Sequence, residues 1–175
     1  MNKLIKNSVL IVLPAENFNE QEFLSVKKSL INSGFNIFIA SDAPVMCKGM
    51  KGLSVKADVN FFNMKEPSFA GIVFIGGTGV VNYFKNISLF SIIRKFDNAG
   101  KTVAAVCGAP VILANAGILE NKKASCYPDL KEVIIDKNAN YLAGQVVVDG
   151  NIITAPDPSS AIEFGQAIVE QLKNS

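Results

Sequence analysis

Three uninterrupted apolar runs of strand length constrain the fold of this chain more than any other feature. They are the segments SVLIVL at 8–13, AGIVFI at 70–75 and TVAAV at 102–106. A strand that is apolar at every position is covered on both faces, as in a parallel sheet that lies between two layers of helices. The runs therefore predict an α/β fold with a mostly parallel central sheet.

Helical patterns alternate with these strands. Asn19 is placed to cap a helix that continues to residue 33, and Gly34 follows as its terminating residue. Ser159 or Ser160 is placed to cap the last helix, whose apolar side is predicted to carry Ile162, Phe164, Ile168, Val169 and Leu172. The other predicted elements are a strand at 35–40, helices at 87–98 and 110–116, an irregular excursion or small hairpin at 45–55, and a hairpin of 145–149 with 151–154 around Asp149-Gly150.

Composition and length indicate one compact domain spanning 1–175. The chain has 175 residues, of which 49% are hydrophobic and 18% charged, and this is enough for one substantial core. A formal net charge of +2 without a basic cluster argues against a nucleic-acid partner. No apolar run approaches the length of a membrane span, and residues 1–6 lack the features of a signal peptide. We therefore expect a cytoplasmic protein with no membrane partner.

Histidine is absent from the whole chain. No Cys-His dyad, Ser-His-Asp triad or histidine metal site is available, so acid–base chemistry must come from carboxylates, tyrosine, lysine or thiols. The three cysteines, at 47, 107 and 126, are an odd number without CxxC spacing. They support neither a disulfide framework nor a zinc site, and we expect no metal.

Cys107 directly follows the third apolar run and precedes Gly108, Ala109 and Pro110. The small residues suit a tight strand-to-helix turn, and Pro110 suits the first turn of a helix. A thiol at a helix N-terminus is favoured as thiolate by the backbone N–H groups and the helix dipole. The segment predicts a reactive elbow cysteine, with a buried, inert cysteine as the alternative.

Glycines follow the second apolar run in the segment GGTG at 76–79. The segment lacks the last glycine of a dinucleotide fingerprint and follows a mid-chain strand, so no cofactor is predicted. Gly77 is instead expected to bring a backbone N–H close to the sulfur, where it would form an oxyanion pocket with the N–H of Gly108. The same donors would hold the oxygens of an oxidised cysteine, and Thr78 would lie near this site.

The chain resembles the ThiJ/PfpI superfamily, in the branch of the parkinsonism-associated protein deglycase and its bacterial relatives. The matching pieces are VLIVLPAENFNEQE, IVFIGGTG, AAVCGAP, SCYP at 125–128, VVVDGNIITA and PSSAIEFGQAIVEQL at 158–172. The resemblance implies a flavodoxin-like three-layer sandwich, a homodimer, a reactive Cys107 and a glutamate carboxyl beside its sulfur. By motif position this glutamate is Glu22. Glu16 and Glu20 are expected to be solvated or capping acids.

The charge state of Glu22 decides how it would affect Cys107. An ionised carboxylate beside a thiolate raises both pKa values, whereas a carboxyl kept protonated by burial donates a hydrogen bond to the thiolate and lowers the pKa of the thiol. Such a donor would also hold a sulfinate oxygen.

The chain departs from the family at two positions. Gly108 stands where the protease-like branch has a histidine after the nucleophile, which disfavours peptide hydrolysis. Tyr127 stands where the deglycase branch often has a histidine before the proline, and a phenol is a poor general base at neutral pH.

Cys126 is expected to point away from Tyr127 into the core. Cys47 is expected to be exposed in the excursion, near the family's dimer contact, as a secondary oxidation site.

Three functions fit these residues. The first is a stress-related protein whose Cys107 is oxidised by peroxide. The alternative is a cofactor-independent glyoxalase or deglycase that uses Cys107 as nucleophile and Glu22 as proton carrier for small reactive aldehydes. The third is a non-catalytic, chaperone-like dimer.

Overall fold

The computed structural model of the protein describes residues 7–42 and 46–175. The strands of this part of the chain are β1 (Ser8–Val12), β2 (Glu16–Phe18), β3 (Asn36–Ser41), β4 (Met46–Gly49), β5 (Ser54–Lys56), β6 (Val59–Asn60), β7 (Gly71–Phe74), β8 (Thr102–Val106), β9 (Lys123–Ala124), β10 (Asn140–Tyr141), β11 (Val147–Asp149) and β12 (Ile152–Ala155). The α-helices are α1 (Glu20–Asn32), α2 (Ile87–Asn98), α3 (Pro110–Asn115), α4 (Lys131–Ile135) and α5 (Ala161–Lys173).

The central sheet has the strand order β11-β12-β8-β7-β1-β3-β6. Its neighbouring strands are parallel except for the antiparallel pair β11 and β12. The three apolar runs of the sequence are the adjacent strands β8, β7 and β1 in the middle of this sheet. The predicted α/β class with a mostly parallel sheet is confirmed.

Two apolar cores lie on opposite faces of the sheet. Successive side chains of a strand point to opposite faces, so Val9 and Ile11 of β1 belong to one core while Leu10 and Val12 belong to the other. The first core includes buried residues of α1 and α5, which also pack against each other, and the second includes residues of α2, α3 and α4. This three-layer arrangement explains why the central strands are apolar throughout.

The helix predictions are confirmed for α1 and corrected for α5. Asn19 caps α1 and accepts a hydrogen bond from the N–H of Glu22 at 3.2 Å. Ser160 occupies the N-cap of α5 but makes no side-chain cap bond, because its hydroxyl donates to the carbonyl of Asp157 instead. Ile162 is 66% exposed, since it lies about 100° around the helix from Ala161 on the buried stripe.

The hairpin predictions are confirmed where the structure describes them. Strands β11 and β12 pair antiparallel around Asp149-Gly150, as expected. Strands β4 and β5 form a second antiparallel hairpin within the expected excursion, whose first residue, Val45, lies outside the described residues. The expectation that Cys47 is exposed is wrong: its side chain is fully buried, because strand alternation turns it toward the core that contains α1.

The contact between α1 and α5 gives a test of the layered packing. Gly165 lies on the buried face of α5, where an added Cβ would come within 2.6 Å of the Ser29 hydroxyl oxygen on α1. We expect Gly165→Ile to lower the free energy of unfolding by about 2 kcal/mol, because overpacking must push the helices apart. Gln166→Ile, at the exposed neighbouring position, is the matched control and should change stability little. Urea unfolding curves measure both, and equal midpoints for the two variants would contradict this packing.

Candidate active site

The carboxyl ends of β1, β7 and β8 meet at one edge of the sheet, because the three strands are parallel neighbours. The chain leaves β8 into Cys107, leaves β7 into the glycine segment at 76–79, and leaves β1 toward Asn19 and α1. Ligands of open α/β sheets bind at this edge. The topology therefore brings together three segments that are far apart in sequence.

Cys107 lies in the turn between β8 and α3. Its φ of 63° is in the left-handed region, which non-glycine residues rarely adopt and which costs about 1–3 kcal/mol. The surrounding backbone holds the turn: the N–H of Cys107 donates to the carbonyl of Ala155 at 2.9 Å, and its carbonyl accepts from the N–H of Tyr127 at 2.8 Å. Pro110 begins the short helix that follows.

Glu22 lies in the first turn of α1 and is completely buried. Its Oε2 accepts a hydrogen bond from the N–H of Gly76 at 2.8 Å. Among the described nitrogen and oxygen atoms, none hydrogen-bonds to Oε1, and the carboxyl interacts with the thiol of Cys107. The position that the family resemblance indicated therefore brings a buried carboxyl against the sulfur.

Gly76 makes this close approach of carboxyl and thiol possible. A Cβ on Gly76 would lie 2.7 Å from the Cβ of Cys107 and 2.9 Å from Oε2 of Glu22, so no side chain fits between them. Gly77 is the donor predicted from the sequence, and the structure adds Gly76 as the residue that holds the carboxyl. The N–H groups of Gly108 and Gly77 act to lower the pKa of the Cys107 thiol.

Burial dominates the electrostatics of the pair. It raises the pKa of Glu22 to about 7, against the opposing effects of the Gly76 N–H and the Cys107 thiol. Burial and then the charge of Glu22 raise the pKa of Cys107 to about 12, although the N–H groups of Gly108 and Gly77 oppose this. The N–H donors therefore favour the thiolate as expected, but desolvation and repulsion by Glu22 outweigh them, so the pKa of Cys107 is raised overall.

The sulfur opens into a pocket of about 370 Å³. Thr78 and Tyr127, expected near the site, both line this pocket. Tyr127 is 41% exposed whereas Cys126 is fully buried, so the two point apart as expected. Strand β9 ends before these two residues, and Tyr127 precedes a helical turn at Pro128–Leu130. The other lining residues are Asn19, Met50, Gly77, Val80, Val81, Gly108, Asp129, Leu130 and Pro158.

Glu20 differs from its expected role as a solvated or capping acid. Its side chain is buried, and Oε1 accepts a hydrogen bond from the N–H of Lys51 in the turn between β4 and β5. A Cβ on Gly49 would lie 2.2 Å from this oxygen, which shows how closely the hairpin packs on the start of α1. The glycines at 49 and 52 were the available sequence signal for this contact. Glu16, by contrast, is exposed as expected.

A second side-chain contact at this sheet edge was not expected from the sequence. The hydroxyl of Tyr83 donates to Asp42 and accepts from the N–H of Ala15 at 3.0 Å. Burial and the hydrogen bond to Asp42 raise the pKa of Tyr83. Tyr83 ends the helical turns at Thr78–Tyr83, so it ties the segment after Gly77 to the segments that follow β1 and β3.

Within the described ranges 7–42 and 46–175, no group of three or more His, Cys, Asp or Glu side chains is arranged to hold a metal ion. No helix in the same part of the chain is long and apolar enough to cross a membrane.

A parallel sheet with a cysteine in a strand-to-helix turn and a buried glutamate beside it is the arrangement that the sequence resemblance implied. The model of the DJ-1/PfpI family matches residues 7–171, and the chain belongs to this family. It is 31% identical to a deglycase of Pyrococcus horikoshii over 164 residues, covering 94% of this chain and 99% of that protein. It is 27% identical to a glutathione-independent glyoxalase of Caenorhabditis elegans, covering 96% and 90% of the two chains. A ThiJ/PfpI domain protein from Brachyspira murdochii has a crystal structure that matches with a TM-score of 0.94 at 30% identity, covering 97% and 98%.

The contact between Glu22 and Cys107 predicts a pH profile with two steps. We expect the rate of Cys107 alkylation to rise through a first step near pH 7, where the pair loses one proton and the form with a thiolate and a protonated carboxyl becomes available. A second rise should follow toward about pH 12. In Glu22→Gln the step near pH 7 should disappear. A single rise in the alkylation rate should remain, at a pH between the ordinary pKa of a thiol and about 12.

Iodoacetamide labelling followed by mass spectrometry of the Cys107 peptide measures this profile. The control variant Glu170→Gln, which changes an exposed residue of α5, should keep both steps. A single step near 8.5 in the unmodified protein would contradict the coupled pair.

Proposed function

We propose that this protein is a cofactor-independent glyoxalase or deglycase that acts on small reactive aldehydes, with Cys107 as nucleophile and Glu22 as proton carrier. The observation that carries the proposal is the fully buried Glu22 carboxyl, which contacts the thiol and has one oxygen without a nitrogen or oxygen partner among the described residues. An acid with a pKa near the working pH both gives and takes protons efficiently. The relatives named deglycase and glutathione-independent glyoxalase support the same activity.

The reaction begins when the thiol proton passes to Glu22 and the sulfur adds to the aldehyde carbon of a 2-oxoaldehyde. The C–S bond forms as the carbonyl electron pair moves to oxygen, and this oxygen takes the proton from Glu22 to give a hemithioacetal. The N–H groups of Gly77 and Gly108 are donors for the charge that develops on that oxygen. In a deglycase reaction the same carbon starts attached to an amine or thiol, which leaves with a proton as sulfur replaces it.

Glu22, now ionised, then removes the hydrogen on the former aldehyde carbon as a proton and returns it to the neighbouring carbon through an enediol, while the hydroxyl proton on the first carbon passes to the oxygen of the second. The product is a thioester of a 2-hydroxy acid. One carbon is oxidised as its neighbour is reduced, so the step needs no external oxidant. Water hydrolyses the thioester, which releases the 2-hydroxy acid and restores the thiol. Since the chain has no histidine, we assign the proton transfers of this sequence to the thiol, Glu22 and water.

Lactate formation from methylglyoxal tests this mechanism. Cys107→Ala should abolish turnover, and Glu22→Gln should lower kcat by about 10²–10⁴-fold because the amide carries no transferable proton. Cys126→Ala, which removes a buried thiol, is the matched control and should keep turnover near that of the unmodified protein. Unchanged activity in Cys107→Ala would dismiss the mechanism.

A second candidate function is the sensing of peroxide by Cys107. The observation that favours it is accessibility: Cys47 and Cys126 are buried, and Cys107 is the half-buried cysteine that opens into the pocket. Peroxide would transfer one oxygen to the thiolate and leave as water, and a second equivalent would give the sulfinate. In this function the N–H groups of Gly77 and Gly108 and a protonated Glu22 would hold the sulfinate oxygens, and the lowering effect of the two N–H groups on the pKa of the Cys107 thiol supports this role.

Low equivalents of peroxide are expected to add oxygen to Cys107 before the other two cysteines, because oxidation follows exposure and the other two are buried. Peptide mass spectrometry during a peroxide titration measures the order. Earlier modification of Cys47 or Cys126 would count against this second function.

The family resemblance further supports a cytoplasmic homodimer, which light scattering and cell fractionation would test.

A further inference from the structure

We infer that the thiol site selects carbonyl compounds that carry an uncharged apolar substituent, and that Met50, on the turn between β4 and β5, forms a wall against which this substituent packs. The inference deepens the proposed glyoxalase or deglycase function and rests on it for the carbonyl chemistry. It assigns a substrate class and a specificity-determining residue to the pocket above Cys107.

The first observation is the chemistry of the pocket wall. Most of the side chains that line it are apolar or present an apolar surface, and of its described lining residues none is a lysine or arginine. The acidic residue among those that line the pocket is Asp129. An anionic substituent would therefore lose its hydration without gaining a cationic partner, and it would face a like charge. The apolar lining residues are Met50, Val80, Val81, Leu130 and Pro158, beside the ring of Tyr127.

The second observation is the size of the pocket. A volume of about 370 Å³ lies within the range of sites that enclose whole small-molecule ligands. A three-carbon aldehyde attached to the sulfur would leave most of this space to water. A larger apolar group on the substrate would displace that water and bury apolar surface on both partners.

The third observation is that the backbone of Met50 is fixed in place. Its N–H donates to the carbonyl of Phe18 at 3.0 Å, and the N–H of the next residue, Lys51, donates to the buried carboxylate of Glu20. Burial alone would raise the pKa of Glu20, but the N–H groups of the turn, including that of Lys51, outweigh it and hold this pKa below its ordinary value. Glu20 is therefore a positioning residue, which anchors the turn to the start of α1.

The fourth observation is the exposure of the Met50 side chain. It is 48% exposed although its backbone is anchored, so its thioether stands at the pocket with apolar surface available to a ligand. Methionine adapts to ligand shape because it is unbranched and polarisable. Met46, on the same hairpin and 41% exposed, does not line the pocket and supplies a matched control.

Two pairs of reagents test the inference. The substrates are phenylglyoxal and 4-carboxyphenylglyoxal, which differ by one carboxylate. The thiol reagents are N-phenylmaleimide and N-(4-carboxyphenyl)maleimide, which report on access to Cys107 without any turnover. We expect the neutral member of each pair to react at least tenfold faster, measured as kcat/KM for the substrates and as the alkylation rate of Cys107 for the maleimides.

Variants of the hairpin locate the preference. Met50→Ala should lower kcat/KM for phenylglyoxal relative to methylglyoxal about tenfold, as expected for truncation of an apolar pocket wall, while Met46→Ala should leave this ratio unchanged. Met50→Lys should shift the preference toward the carboxylated member of both pairs. Glu20→Gln should move the phenylglyoxal ratio in the direction of Met50→Ala, and Glu170→Gln should not.

The outcomes separate this inference from the proposed function. If aldehydes are turned over but neither pair shows a preference, or if the preference is the same in Met50→Ala and Met50→Lys, the inference is overturned and the proposed function stands. If no aldehyde is turned over but the neutral maleimide is preferred in a Met50-dependent way, the proposed function fails and the apolar selectivity of the pocket stands.

Discussion

The contact of the buried Glu22 carboxyl with the Cys107 thiol is the interaction on which the site depends. A fully buried carboxyl with one hydrogen bond, from the N–H of Gly76, is held in a poorly solvated environment. Its pKa of about 7 exceeds the ordinary value of 4.5, so the folded state holds a proton that the unfolded chain releases. The free energy of unfolding therefore falls as pH rises from about 4.5 through 7. Burial of Glu22 therefore costs stability once the carboxyl ionises, and below about pH 7 it keeps a proton beside the sulfur.

Backbone strain and close packing accompany this contact. Cys107 adopts a left-handed conformation that its side chain disfavours, and hydrogen bonds to Ala155 and Tyr127 hold it there. Gly76 leaves just enough room for the carboxyl to approach. The apolar three-layer core supplies the rigidity against which a strained turn and a buried acid persist.

Neighbouring glutamates on α1 have different environments and therefore different roles. Glu20 accepts hydrogen bonds from the N–H groups of an anchored turn, which lowers its pKa, whereas Glu22 is deeper and accepts one, which leaves desolvation dominant. One acid fixes the wall of the pocket and the other faces the sulfur. Two residues along a helix turn a side chain by about 200°, so the two carboxylates reach different partners.

Much of this architecture was determined by local sequence. Continuous apolar runs require burial on both faces of a sheet. Asn19 has a strong preference for the start of a helix, and Asp149-Gly150 for a hairpin turn. The segment from Cys107 to Pro110 suits a tight turn into a helix. The family resemblance indicated Glu22. The burial of Cys47, the exposure of Ile162, the anchoring role of Glu20 and the upward shift of the Cys107 pKa were decided by tertiary structure. Each depends on which distant groups surround the side chain and how much water they exclude, and neither propensity nor spacing along the chain contains that information.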